Sequence, residues 1–366
     1  MKIAVDGYEL GRGARGVGRV TQNLLLHLPG IMEGDTFVVL VKQDISPLEL
    51  PSARVVVLPE RGGFLRWQNG PLRRELRKEK PDLFIAANYI LPLFFNGESL
   101  LIEHDISVVT HPEWYTRRYA LPRRFLTARS LAKARRIIVP SEYIKTEILS
   151  RFAIDAARIH VCRWGIEEKF TRAAEEEVHA WRAKKGLTER VVVGFLGALN
   201  RRRHLPLLIR AVELLRRERP EAMLFIVGSD IGSFSRQELA QMFHPAWVRW
   251  ERDLPEEELR LFYSSLDVFA FLSEYEGFGF PPLEALACGT PIVLLRRGAL
   301  EEIFSDLAFM VEEPAAEEVA QALILSLTDT VSRRRKIDLF ADRRRDFSWA
   351  NTAQKIARLL RNLESA

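Results

Sequence analysis

A strand, a glycine loop and a helix open this 366-residue chain and then open it again halfway along. That repetition limits the fold more than any other feature. The first copy runs from Lys2–Val5, an apolar strand, through Gly11, Gly13, Gly16 and Gly18 into a helix over 20–28 carrying Leu24, Leu25, Leu26 and Leu28. The second runs from the strand Val191–Phe195 through the loop 197–204 into a helix over 205–216. A strand feeding a glycine loop and then a helix is how doubly wound α/β domains begin, and a chain of this length favours two such domains. The polar segment 170–190, with Glu175-Glu176-Glu177 and Lys184-Lys185, reads as a linker with some helix, so the boundary is expected there. The first glycine loop lacks the spacing of a dinucleotide fingerprint, and no suitable acidic residue ends a following strand. A plain surface turn is the alternative reading of that loop.

Composition narrows the class of partner. Apolar residues make up 47%, enough for real cores, and the net charge is +5 with pI about 9.2. That excess suits anionic ligands or an anionic membrane surface, while 49 acidic residues argue against a dedicated nucleic-acid binder. The two cysteines, Cys162 and Cys288, read as reduced core residues of a cytoplasmic protein. No apolar run reaches the roughly 18–20 residues that span a bilayer. The N-terminus lacks the apolar stretch of a signal peptide.

The stretch 273–293, SEYEGFGFPPLEALACGTPIV, carries the clearest chemistry. An apolar strand leads in, Gly277 and Gly279 loosen the backbone, Pro281 and Pro282 suit a first helical turn, and Gly289-Thr-Pro291 ends the helix. A glycine loop ending at a helix N-terminus suits a phosphate. Glu276 and Glu284 would repel phosphate, but carboxylates accept well from sugar hydroxyls. Together these features describe a sugar-nucleotide site. In the second domain's first loop, Arg201, Arg202 and Arg203 form a phosphate site or, alternatively, ordinary surface charge. His104-Asp105 ends a strand over 100–103, where α/β sheets bind ligands or where a simple turn would sit. The arginine-rich helix over 117–136 is a solvated face or a surface for anionic lipid headgroups.

These residues resemble the retaining glycosyltransferases of family 4, which have the GT-B fold. The Glu276-x7-Glu284 block resembles the family's donor signature, and GVGRVTQNLL at 16–25, EHDIS at 103–107 with HPEW at 111–114, IIVPSE at 137–142, GALNRRRHL at 197–205 and FSW at 347–349 follow in the family's order. The resemblance implies an α/β fold of two Rossmann-like domains facing each other across a cleft. Residues 1–168 would bind acceptor, residues 169–349 would bind donor, and a C-terminal helix at 350–366 would cross back to the first domain. It implies Glu276 and His104 on the donor sugar, with Gly277, Phe278 and Gly279 nearby. Arg202, Arg203, Leu283, Gly16 and Gly18 would hold the diphosphate, and Glu284 the ribose. Asp253 and Leu254 would face the base and Asp105 the acceptor. Two departures stand out: Ala198 occupies a position where many members have arginine, and Arg203 one where lysine is usual.

The implied reaction transfers a hexosyl unit from a nucleotide diphosphate sugar to a glycan or lipid-linked hydroxyl, with retention and on one face. His104, Glu276, Arg202 and Arg203 would be its catalytic residues. The HPEW and Ser141-Glu-Tyr variants resemble mannosyltransferase-like members, which suggests GDP-mannose as donor. No DxD-type metal motif ends a strand, so no metal and no cofactor are expected. The expected setting is cytoplasmic, with peripheral attachment at the inner membrane face as the reading that the basic helix invites. A sugar-nucleotide epimerase on the same fold and a non-catalytic nucleotide-sugar-binding subunit are the rival functions. A phosphorylase would need a pyridoxal-phosphate lysine signature that the sequence lacks.

Overall fold

The computed structural model describes residues 1–11, 16–50 and 52–364, with side chains up to residue 361. Gly13, expected in the first glycine loop, and the last two residues of the expected C-terminal helix lie outside the described residues. The chain divides into two compact units, 1–165 with 347–366, and 166–346.

The first unit holds seven strands: β1 (Lys2–Asp6), β2 (Thr36–Val41), β3 (Ala53–Val57), β4 (Leu83–Ala86), β5 (Ser99–Ile102), β6 (Arg136–Val139) and β7 (Ile159–Val161). They lie in the order β3-β2-β1-β4-β5-β6-β7, every pair parallel. The second unit holds β8 (Val191–Leu196), β9 (Ala222–Val227), β10 (Val248–Glu251), β11 (Val268–Phe271), β12 (Ile292–Leu295) and β13 (Phe309–Val311). Its order, β10-β9-β8-β11-β12-β13, repeats the first through the sixth strand, again all parallel. Parallel strands covered on both faces need apolar side chains throughout, which is why β4, β9, β11 and β12 read as unbroken apolar runs and are buried at every position. In each unit the order reverses beside the first strand, so the loops after β1 and β4, and after β8 and β11, flank the switch point where such sheets take ligands.

Several expectations need correction. The segment 170–190 is no linker: Phe170 and Trp181 are buried, the helix Glu175–Lys184 packs, and the Trp181 indole donates to Glu258 at 3.1 Å. The helix Phe64–Trp67 continues through a π-turn at Gln68–Leu72, which accommodates Pro71, into the helix Arg73–Glu79. Two short helices, Arg236–Met242 and Gly298–Phe304, had no sequence expectation. The first carries a capping box between Ser235 and Glu238, a pattern visible in the sequence. Ser141 caps the helix Glu142–Arg151 as expected, accepting from the Ile144 amide at 3.4 Å.

The C-terminal helix Trp349–Glu364 belongs to the first unit. Thr352 donates to the Arg163 carbonyl at 2.7 Å, and the Arg361 guanidinium to the Ile31 carbonyl at 2.6 Å. Trp164 stacks on Trp349 with ring centroids 6.1 Å apart. A side chain at Gly165 would meet the Trp349 backbone nitrogen at 2.2 Å, so this return contact requires glycine there.

Candidate functional site

In the second unit the loops after β8 and β11 are laced together. The Glu274 amide donates to the Arg202 carbonyl at 2.9 Å, and the Glu274 carboxylate lies 2.6 Å from His204 Nε2. Arg203 donates to Glu276 Oε1 from Nε at 3.2 Å and from Nη2 at 3.0 Å. Ser273 Oγ donates to the same oxygen at 2.9 Å, so Oε1 carries three hydrogen bonds and a further donor would have to be met by Oε2. The side chains are 13% and 15% exposed, enough to reach a ligand yet dry enough for the pair to be strong.

Burial alone would push the Glu276 carboxyl up, but the charges of Arg203 and Arg202 and the Ser273 and Arg203 hydrogen bonds outweigh it, and it sits below the usual carboxylate range. Burial pulls Arg203 down; Glu276 opposes that and Arg202 adds to it. Both therefore carry full charge at neutral pH. Arg203 also lies over the Phe271 ring at 5.0 Å, and Nη1 donates to the Ala198 carbonyl at 3.2 Å. Gly197 makes this fit. Its φ is +150°, and a Cβ there would strike Arg203 Nη1 at 2.2 Å.

The three adjacent arginines do not act as one cluster. Arg201 turns away to Glu238 at 2.8 Å and lies over Phe234. Arg202 and Arg203 remain at the loop after β11.

The helix Phe280–Ala287 starts at Gly279, whose φ of +110° is a left-handed cap conformation. A helix N-terminus ordinarily offers four amides, but Pro281 and Pro282 have none. The Leu283 amide donates to the Gly279 carbonyl at 3.3 Å. Pro281 and Pro282 thus remove two of those four N–H groups, and the amide of Leu283, expected at the diphosphate, is turned to the Gly279 carbonyl. Positive charge here comes chiefly from the arginines. Glu284, one turn into the helix, is buried and accepts from the Tyr263 hydroxyl at 2.7 Å. Asp253 and Leu254 follow β10, where the Asp253 carboxylate accepts from the Leu254 amide at 2.8 Å and Leu254 itself is buried.

In the first unit, His104 follows β5 and is buried against Tyr89 and Trp164. Its Nε2 lies 3.0 Å from the Ala87 carbonyl, an acceptor only, so Nε2 carries the proton and Nδ1 is left as an acceptor in the neutral ring. Burial pulls the imidazole below its usual value despite the Ala87 bond and the Asp105 charge, which favours that neutral form. The Asp105 carboxylate accepts from the Ser107 amide at 2.8 Å. Gly16, exposed at φ +53°, precedes the helix Val17–Ile31, whereas Gly18 is buried in its first turn.

Sequence reading missed Ser273, which orients Glu276, and Tyr263, which holds Glu284. Ser273 stands three residues before Glu276 and was a legible candidate; Tyr263 is 21 residues from its partner and had no local signal. Among the described residues no group of three or more His, Cys, Asp or Glu could hold a metal ion, and no helix is long and apolar enough to cross a membrane.

Two doubly wound parallel units in one chain define a GT-B fold. Anabaena HepE, solved with UDP-glucose, aligns over 99% of this chain and 100% of its own at 19% identity and a TM-score of 0.76. WaaG, a glycosyltransferase involved in lipopolysaccharide biosynthesis, aligns over 98% and 99% at 14% identity and a TM-score of 0.77. The family model for glycosyl transferases group 1 matches residues 177–342, and that for glycosyltransferase family 4 matches residues 14–170. The chain belongs to this family of glycosyltransferases. It is 25% identical to O-antigen chain mannosyltransferase B of Escherichia coli over 285 residues, 77% of this chain and 74% of that protein. It is 30% identical to a D-inositol 3-phosphate glycosyltransferase of Corynebacterium urealyticum over 239 residues, 62% of this chain and 56% of that one.

Proposed function

We propose that this glycosyltransferase takes a nucleotide diphosphate sugar as donor and transfers its hexosyl unit to an acceptor hydroxyl with retention at the anomeric carbon. The observation that carries the reading is Glu276, held at one oxygen by Arg203 and Ser273, which leaves the other oxygen to accept from a ligand. An ionised carboxylate so oriented accepts from sugar hydroxyls. As the nucleotide diphosphate departs, negative charge builds on its β-phosphate. Arg202 and Arg203 stabilise that charge; the Arg203 guanidinium is fixed in advance by Glu276, and the backbone at Arg202 by the Glu274 amide, so little reorganisation accompanies the reaction. The departing phosphate takes the acceptor proton on the same face, and no protein nucleophile is needed. Glu276 and Glu284 lie on one loop and helix, a poor arrangement for two carboxylates on opposite faces of a sugar. Glu284 receives the ribose hydroxyls, the segment at Asp253 and Leu254 faces the base, and in the first unit His104 Nδ1 accepts from the transferred sugar while Asp105 serves the acceptor. The arginines supply the positive charge, so activity is expected to survive chelation of divalent cations.

The donor in this reading is GDP-mannose, supported by the similarity to the Escherichia coli O-antigen chain mannosyltransferase. A thermal-shift panel of GDP, UDP and ADP with their hexose conjugates tests both levels. A shift with GDP and GDP-mannose is expected, and a shift with UDP or ADP alone would replace the donor assignment. Absence of any nucleotide shift would overturn the reading. Product analysis with donor alone separates transfer from epimerisation.

A peripheral membrane setting is the second reading. Leu121 and Phe125, 62% and 63% exposed, lie one turn apart on the helix Arg117–Lys133 beside Arg117, Arg118 and Arg124. Apolar tips among arginines suit an anionic bilayer surface. The protein is expected to sediment with phosphatidylglycerol vesicles and not with phosphatidylcholine alone, and the Leu121→Asp/Phe125→Asp double variant to stay in solution. Equal sedimentation of the two proteins would dismiss the surface.

A further inference from the structure

A cavity of about 100 Å³ lies beside the C-terminal end of β5 in the first unit, with Glu103, Asp105, Ser107, Tyr115 and Arg123 among its lining residues. Its unusual member is Glu103. The side chain is fully buried, and neither carboxyl oxygen has a hydrogen-bond partner among the described residues. Buried polar atoms are almost always partnered, so an orphaned carboxyl marks a group kept for a ligand or for strain. Burial first, and then the nearby Asp105 charge, push this carboxyl well above the usual range. That favours the neutral acid, which has one O–H donor and one carbonyl acceptor. One wall of the cavity is already polar: Ser107 Oγ donates to Asp105 and lies 2.6 Å from the Tyr115 hydroxyl.

We propose that this cavity seats an uncharged, hydroxyl-bearing ring of the acceptor, and that Glu103 selects it by pairing with one ring hydroxyl. A hydroxyl both donates and accepts, so a single group satisfies both functions of the acid. Charged alternatives fit less well. An anion would face the Asp105 carboxylate. A cation would face Arg123, whose guanidinium is held over the Tyr119 ring at 4.3 Å. The assignment of the ring as acceptor rests on the transfer reaction proposed above; the selection of a neutral polyol rests on the cavity alone.

Saturation-transfer NMR tests it with three probes: methyl α-D-mannopyranoside, its 6-phosphate, and the 2-amino-2-deoxy analogue. The wild-type protein is expected to bind the uncharged glycoside best. Glu103→Leu fills the same space without the orphaned oxygens, so it keeps or raises the melting temperature while weakening that glycoside about ten-fold, the loss of one well-made hydrogen bond. Glu103→Gln retains a donor and an acceptor and is expected to recover most of the affinity. In transfer assays the Leu variant's defect falls on acceptor KM, not on donor KM. Equal glycoside binding by wild type and Glu103→Leu, no glycoside binding by wild type, tighter binding of the charged analogues, or a lower melting temperature for the Leu variant would each overturn the proposal. Nucleotide binding, measured in parallel, distinguishes the two failures. Its loss sinks the transfer reading, whereas its presence beside a glycoside indifferent to residue 103 sinks only the cavity.

Discussion

At the scale of single residues, Glu276 and Arg203 cannot be treated as separate assignments. Glu276→Ala removes the sugar contact, and it also strands a nearly buried guanidinium. Transfer should fall about 100-fold or more, as when a preorganised electrostatic contact is lost. Stability should fall as well, by about 1–3 kcal/mol, because the remaining partner is left uncompensated. In an Arg203→Ala background the same substitution should cost much less stability, and urea denaturation of the four proteins of the cycle measures the difference. Arg203→Lys keeps the charge but not the two-pronged grip on Oε1, so nucleotide diphosphate affinity should drop by calorimetry while the fold persists. Asp6 offers a pH test. It is buried at the end of β1, with one oxygen accepting from the Tyr8 amide at 3.0 Å and the other without a partner among the described residues. Burial, outweighing the Tyr8 bond, pushes it up from 3.8 to about 7. The folded state then holds a proton that the unfolded chain has released, so Asp6's contribution is complete below about pH 4 and is lost as pH rises through 7. That loss amounts to about 4 kcal/mol at most. Asp6→Asn should flatten the decline in stability between pH 5 and pH 8, and an unchanged slope would dismiss Asp6 as its source. Glu276, Arg203 and His104 were all legible in sequence as charged or titratable groups beyond strand ends. The pairing of Glu276 with Arg203 was not, because the two are 73 residues apart and meet only when β8 lies beside β11.

At the scale of elements, the loops after β8 and β11 form one unit of function. Three contacts join them, at Arg202, Arg203 and His204. Gly197 lets the first loop close over Phe271. Gly197→Ala puts a methyl group into the guanidinium and forces a backbone conformation that L side chains rarely adopt. It should destabilise the protein by about 1–3 kcal/mol. It should also weaken nucleotide diphosphate binding, and calorimetry on the folded variant checks that second effect. The glycine loop and the helix after it were readable from turn and cap chemistry, and the helix Phe280–Ala287 begins and ends where Gly279, the two prolines and Gly289 place it. Prolines mark the start of a helix well, but they remove the N–H groups that make such a start an anion site.

At the scale of the whole molecule, two sheets of matching strand order carry separate cores, so a bound nucleotide should act on one of them first. Hydrogen exchange with saturating nucleotide diphosphate should slow at 197–204 and 273–284, while β1 to β7 respond less; uniform protection of both units would contradict the assignment of the donor to the second. Removing residues 347–366 should destabilise the first unit, because Trp164 then loses the ring it stacks on. The sequence by itself determined the architecture. Buried parallel strands must be apolar throughout, loops at a switch point need glycine, and helix ends need particular residues, so all of these leave local marks. Only the tertiary structure decided which charges meet. It turned Arg201 out to Glu238 and Arg203 in to Glu276, packed 170–190 against the second core, and left the Glu103 carboxyl buried beside an open cavity. Burial and pairing depend on segments far apart in the chain, and a local pattern carries no information about the neighbours that will desolvate or satisfy a charge.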